Sequence, residues 1–82
     1  MPAPVRRLTL YSRPWCELCE QMEAALRRIS AQCPFVLEVV DVDSDPESAR
    51  RWGRDVPVLL AGEQELCRHR LDRAVVDAWL RS

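Results

Sequence analysis

Leu8-Thr9-Leu10-Tyr11-Ser12-Arg13-Pro14-Trp15-Cys16-Glu17-Leu18-Cys19 is the stretch that decides the fold. Leu8 to Tyr11 reads as a short strand, and Ser12-Arg13-Pro14 ends it, because proline has no N–H to give to a sheet ladder. From Leu18 onward Leu18, Met22, Ala25, Leu26 and Ile29 recur at i, i+4, i+7, i+8 and i+11, which lines one face of a helix. That helix stops before Pro34, whose ring disfavours helical geometry in the preceding residue. Two cysteines therefore sit where the loop after a strand enters a helix.

Working outward, Phe35 to Val42 is an almost continuous apolar run interrupted by Glu38. Such a run predicts a strand covered on both faces, hence parallel and central. Strand, helix and strand make a βαβ unit with a right-handed crossover. Ser44-Asp45-Pro46-Glu47 opens a shorter second helix, through either a Ser44–Glu47 capping box or an Asp45 cap with Pro46 at N1, and Gly53 ends it. Val56 to Ala61 reads as a strand, Gly62-Glu63 as a tight turn, and Gln64 to His69 as a weaker strand antiparallel to it. Asp72 caps a last helix whose apolar side is Val75, Val76, Trp79 and Leu80. The predicted order is β-α-β-α-β-β-α, an α/β fold.

The chain has 82 residues, so one domain spanning 1–82 is expected, with no linker and no internal repeat. A hydrophobic fraction of 48% beside 30% charged residues excludes a disordered chain. Twelve basic residues, all arginine, balance thirteen acidic ones to a net charge of -1. The pairs Arg6-Arg7, Arg27-Arg28 and Arg50-Arg51 read as solvated faces, so no nucleic-acid partner is expected. No apolar stretch approaches the ~20 residues of a membrane span, and Met1 to Arg7 lacks an apolar signal core. The expectation is a monomer in the cytoplasm, where lasting disulfides do not persist and the four cysteines point to catalysis or metal binding.

Cys16 and Cys19 are neighbours at i and i+3 on a helix, close enough for the Cα separation of about 4.4 to 6.8 Å that a disulfide requires. Cys16 falls where unpaired N–H groups and the positive end of the helix dipole converge, which favours the thiolate. Cys19, one turn inside, suits resolution of a mixed disulfide. A structural zinc site uses the same spacing but needs two further ligands, for which Cys33, Cys67 and His69 are the candidates without a second close pair. A dithiol opening a helix after the first strand of a βαβ unit favours redox chemistry, with the metal site as the alternative.

The quoted stretch, followed by Asp55-Val56-Pro57-Val58-Leu59-Leu60, resembles the small glutaredoxin-like proteins of the thioredoxin superfamily over nearly the whole chain. The resemblance implies a thioredoxin fold: a four-stranded mixed sheet with three helices, the two longer ones on one face. It implies a cis Val56-Pro57 bond that sets the Val56 backbone beside the dithiol to pair with a substrate strand. It makes Cys16 and Cys19 catalytic. Arg13, three positions before Cys16, would stabilise the thiolate and hold a substrate carboxylate, and Trp15 would shield the sulfur and touch substrates. The implied activity is thiol-disulfide oxidoreduction on protein or glutathione mixed disulfides and on small-molecule disulfides, with no bound cofactor and with glutathione or a reductase as the source of electrons. Two other classes share this scaffold: an iron-sulfur or metal carrier ligated through Cys16, and a binding module with little redox activity.

Two departures from the family pattern bear on substrates. Glutathione-using members carry a Gly-Gly pair and an acidic residue at the start of the last helix. Here Asp72 matches the acid, but Arg68-His69-Arg70-Leu71 stands in place of the glycines, which predicts weak glutathione binding. Glu17 and Glu20 flank the dithiol and oppose a neighbouring thiolate. Elsewhere, Cys33 and Cys67 read as small half-buried apolar side chains, and His69 as an exposed strand residue with no carboxylate beside it. Trp52 and Trp79 read as packing residues, and Asp41, Asp43 and Asp45 lack the glycine and terminal glutamate of a calcium loop.

Overall fold

A computed structural model describes residues 6–82; the reading of the first five residues lies outside them. The elements are β1 (Arg7–Ser12), α1 (Glu17–Gln32), β2 (Val36–Asp41), a 3-10 turn (Val42–Ser44), α2 (Pro46–Trp52), β3 (Val58–Ala61), β4 (Gln64–Arg68) and α3 (Arg73–Arg81). The sheet order is β2-β1-β3-β4, with β1 and β2 parallel and the other pairs antiparallel. This is the mixed four-stranded sheet with three helices that the sequence predicts.

Alternation along β1 divides the molecule into layers. Leu8 and Leu10 point to one face and are fully buried, together with Leu59 of β3. Against them pack Met22, Leu26 and Ile29 of α1, Phe35, and Val76 of α3, so the two longer helices share that face. Removing such a side chain, as in Leu26→Ala, typically costs about 2–5 kcal/mol. Tyr11 lies on the opposite face and stacks on Trp52 of α2 at 4.2 Å, which holds the short helix there. Arg6 closes the structure by donating to the Leu80 and Trp79 carbonyls at 2.7 and 2.6 Å, a cation at the C-terminal end of α3.

Several expectations are corrected. β2 is parallel but lies at the edge of the sheet: Leu37 and Val39 pack on the core while Val36 and Glu38 are exposed. The chain returns on the other side of β1, so β3 takes the inner place, and an apolar run does not reveal how many neighbours a strand has. Leu18 is 36% exposed, and the buried seam of α1 is instead Cys19, Met22, Leu26 and Ile29. Asp45 is the cap of α2, accepting from the Ser48 N–H at 3.1 Å with Pro46 in the first turn. β3 begins at Val58, after the cis Val56-Pro57 bond, and β4 ends at Arg68 because His69 adopts a left-handed φ of 69°. Cys33 is exposed at the C-cap of α1, whereas Cys67 is half-buried.

Candidate active site

Cys16 is the N-cap of α1. Its backbone is extended, and its sulfur accepts the Cys19 N–H at 3.2 Å, in the place where a serine or aspartate cap would take the same bond. Cys16 is half-buried and Cys19 is 3% exposed, so the outer sulfur is the accessible one. The two are joined as a disulfide with a Cα–Cα separation of 5.2 Å. The N-terminal turn also carries Glu17 and Glu20, which offset part of the attraction the helix end offers to a thiolate. Trp15 turns the chain into the helix with a φ of 65° and stands 97% exposed beside Cys16 in sequence.

β1 and β3 run antiparallel with Tyr11 opposite Val58. The residues leaving β1 and those entering β3 therefore meet at one end of the sheet, which brings Val56-Pro57 to the dithiol loop. Pro57 is fully buried, and its carbonyl accepts the His69 N–H at 2.8 Å. Among the described residues no hydrogen bond uses the N–H or carbonyl of Val56. Val56 lies just ahead of β3, before its ladder pairing begins, and an unpaired backbone there can pair with an extended segment.

Arg13 lies in the same loop and is fully engaged. It donates to Asp43 through Nε at 2.8 Å and Nη2 at 3.1 Å, and to the Gly53 carbonyl through Nη1 at 2.8 Å. None of its bonds reaches Cys16. The Arg13 hydrogen bonds hold the Asp43 carboxyl below the usual carboxylate range, against the opposing cost of desolvation, and the guanidinium is raised in turn. Gly53 is required there by space, since an added Cβ would overlap the Ala49 carbonyl and press on Arg13. The loop before the dithiol is thus tied to the 3-10 turn and to the end of α2.

A second network lies on the far side of Pro57. Arg68 donates to Glu65 at 2.7 and 2.5 Å and pairs with Asp55 at 2.9 Å, and His69 Nε2 lies 3.1 Å from the Asp55 carboxylate. The bonds from Arg68 hold the Glu65 carboxyl low. His69 is therefore exposed, as expected, but past the strand and beside a carboxylate that the sequence reading did not place there. Counting outward from the Gly62-Glu63 turn pairs Ala61 with Gln64 and would set Arg68 opposite Pro57; the irregularity between Leu59 and Leu60 shifts the register by one and brings His69 there instead.

Two clefts flank the dithiol. One, of about 290 Å³, is lined by Leu18, Gln21, Met22, His69, Arg70 and Leu71. The other, of about 390 Å³, includes Arg13, Trp15, Cys19, Glu20, Glu23 and Asp41. A larger hollow of about 420 Å³ lies against Thr9, Tyr11 and Trp52 on the opposite face of the sheet, away from the sulfurs. Cys33, at the other end of the 16-residue α1, is about 26 Å along the helix from Cys16. Among the described residues no group of three or more His, Cys, Asp or Glu side chains stands where it could hold a metal ion. Among the same residues no helix is long and apolar enough to cross a membrane.

A dithiol capping the first helix, beside a cis-proline at one end of a β2-β1-β3-β4 sheet, defines a thioredoxin-fold protein with a Cys-x-x-Cys pair at disulfide distance. Residues 7–81 match the Glutaredoxin-like domain (DUF836), and the chain belongs to that family. It is similar to the solution structure of protein Ne2328 from Nitrosomonas europaea, with 37% identity and a TM-score of 0.85 over 96% of this chain and 95% of that one. It is also similar to the X-ray structure of protein XcR50 from X. campestris, with 33% identity and a TM-score of 0.70 over 90% of this chain and 95% of that one. A malarial protein at 19% identity, covering 95% of this chain and 96% of that one with a TM-score of 0.65, shares the fold. Comparison with curated proteins gave no match.

Proposed function

We propose that the chain is a thiol-disulfide oxidoreductase that reduces disulfides held in extended peptide segments. The observation that carries this reading is the asymmetry of the dithiol: Cys16 is accessible and caps the helix, and Cys19 is buried one turn inside. The Cys16 thiolate attacks one sulfur of a substrate disulfide; a Cys16–substrate bond forms, the substrate bond breaks, and the other sulfur leaves as a thiolate that takes a proton from water. Cys19, deprotonated, then attacks the Cys16 sulfur and releases the second substrate thiol. Two electrons pass from the dithiol to the substrate. A low-molecular-weight thiol such as glutathione, or a dithiol reductase, restores the dithiol in a reducing cytoplasm.

Val56 offers its unpaired backbone to the substrate strand, and Trp15 offers an exposed apolar surface next to the reacting sulfur. Arg13 acts by fixing the loop, its charge answered by Asp43. His69-Arg70 in place of two glycines leaves side chains where glutathione needs backbone, so peptide disulfides are the preferred substrates over glutathione adducts. The test is a pair of variants: Cys16→Ser abolishes disulfide reduction, and Cys19→Ser accumulates a mixed disulfide at Cys16 that mass mapping detects. Equal behaviour of the two variants, or a dominant bridge to Cys33 or Cys67 in the oxidised protein, would overturn the assignment.

A further inference from the structure

The arginines near the dithiol divide sharply by partner. Arg13 is held by Asp43 and Gly53, and Arg68 by Glu65 and Asp55. Arg70 is exposed, lines the 290 Å³ groove, and has no side-chain hydrogen bond or ion pair among the described residues; its N–H is bonded to the Arg68 carbonyl. The floor of that groove is Leu18, Met22 and Leu71. Leu18, between the two cysteines in sequence, and Arg70, from the loop after β4, line the same groove, which sets a guanidinium near the dithiol turn.

The opposite flank carries the other sign. Glu20, Glu23 and Asp41 line the cleft beside Cys19, and the arginine in it, Arg13, is spent on Asp43. Arg27 pairs with Glu23, and among the described residues Glu20 has no ion pair. An anionic group approaching the sulfurs is repelled on this side and attracted on the Arg70 side. A guanidinium at the end of a short apolar groove fits a carboxylate carried on an aliphatic stem, as a glutamate side chain supplies.

We infer that Arg70 is a specificity-determining residue, and that the groove from Leu18 to Arg70 selects peptide disulfides with an acidic side chain within a few residues of the reacting cysteine. The inference rests on the oxidoreductase reading and names its substrate class. The polar groups lining the groove are Arg70 and His69 from the β4–α3 loop and Gln21 from α1, whose amide donates to the Glu17 carboxylate at 3.5 Å, so Glu17 is the nearest opposing charge on that helix. His69 is engaged by Asp55, so Arg70 supplies the selective charge.

The experiment measures kcat/KM for a set of short peptide disulfides that differ only in placing Glu, Gln or Lys at each position around the cysteine. At one or more positions the wild-type protein prefers Glu to Lys by roughly fivefold, the size an accessible ion pair supports. Arg70→Glu inverts that preference, whereas Arg7→Gln, an exposed change at the start of β1 and at the other end of the sheet, leaves it intact. A flat profile in the wild type, or a preference that survives Arg70→Glu, overturns the inference. Failure of every peptide, the Gln set included, would instead remove the oxidoreductase reading. The groove is then read separately by titrating the Glu peptide in its thioether form into the protein and following the NMR signals of Leu18, Met22 and Leu71. Shifts at those residues that disappear in Arg70→Glu support the groove, and their absence sinks it as well.

Discussion

Reducing the Cys16–Cys19 bond is the perturbation that best tests the chemistry, because its effect on stability has two opposing parts. The bond closes a loop with a sequence separation of three, and in the chain-entropy account so short a loop takes about 1.6–1.9 kcal/mol of freedom from the unfolded chain. Reduction returns that freedom. In compensation, a Cys16 thiolate at the N-cap gains about 0.3–1 kcal/mol from the helix end, less what Glu17 and Glu20 in the same turn take away. The loop term wins, and the oxidised protein is expected to be more stable by about 1 kcal/mol. By the thermodynamic cycle, folding then makes the dithiol a stronger reductant than the unfolded chain, by about 20 mV. Urea unfolding at neutral pH, run on the oxidised protein and in excess dithiothreitol, measures the difference directly. A reduced form as stable as the oxidised one would refute the reasoning, and a more stable reduced form would mark the folded protein as an oxidant relative to its unfolded chain.

Gly53→Ala pits helix propensity against space: alanine gains up to about 1 kcal/mol where room exists, but overlap with the Ala49 carbonyl costs about 1–3 kcal/mol. A net loss in urea midpoint is expected, and a stabilised variant would show that α2 yields freely. Since Asp43 is held low by Arg13, its contribution is complete above the ordinary carboxylate range and is lost only as pH falls through the depressed value. A carboxyl carbon NMR titration should find the Asp43 midpoint below that range and return it there in Arg13→Gln. Cys33 is exposed while burial pushes the Cys67 thiol up, so iodoacetamide at neutral pH should label Cys33 well before Cys67, as mass mapping over time will report.

The local signals in the chain were enough for the helix and strand types, the hairpin and the dithiol. Proline, the Asp45 and Asp72 caps and the apolar periods act over a few residues, so they are legible without knowledge of neighbours. Only the tertiary structure decided which strand is central: β2 has the composition of an inner strand, but the chain's return beside β1 leaves it at the edge. Leu18 shows the same limit on α1, where its spacing fits the apolar face and its place at the first turn puts it in a groove instead of the core. At the site, Cys16 and Cys19 are set by spacing along one helix and were named from it. Arg68 has a local partner in Glu65, three residues away, but Arg13 reaches Gly53 40 residues on and His69 reaches Asp55 14 residues back, across strand pairings whose register fixes which groups meet. Charge pairing over such distances has no periodic trace in sequence, which is why Arg13, read as a partner of the thiolate, becomes a structural tie while Arg70 has no side-chain partner among the described residues.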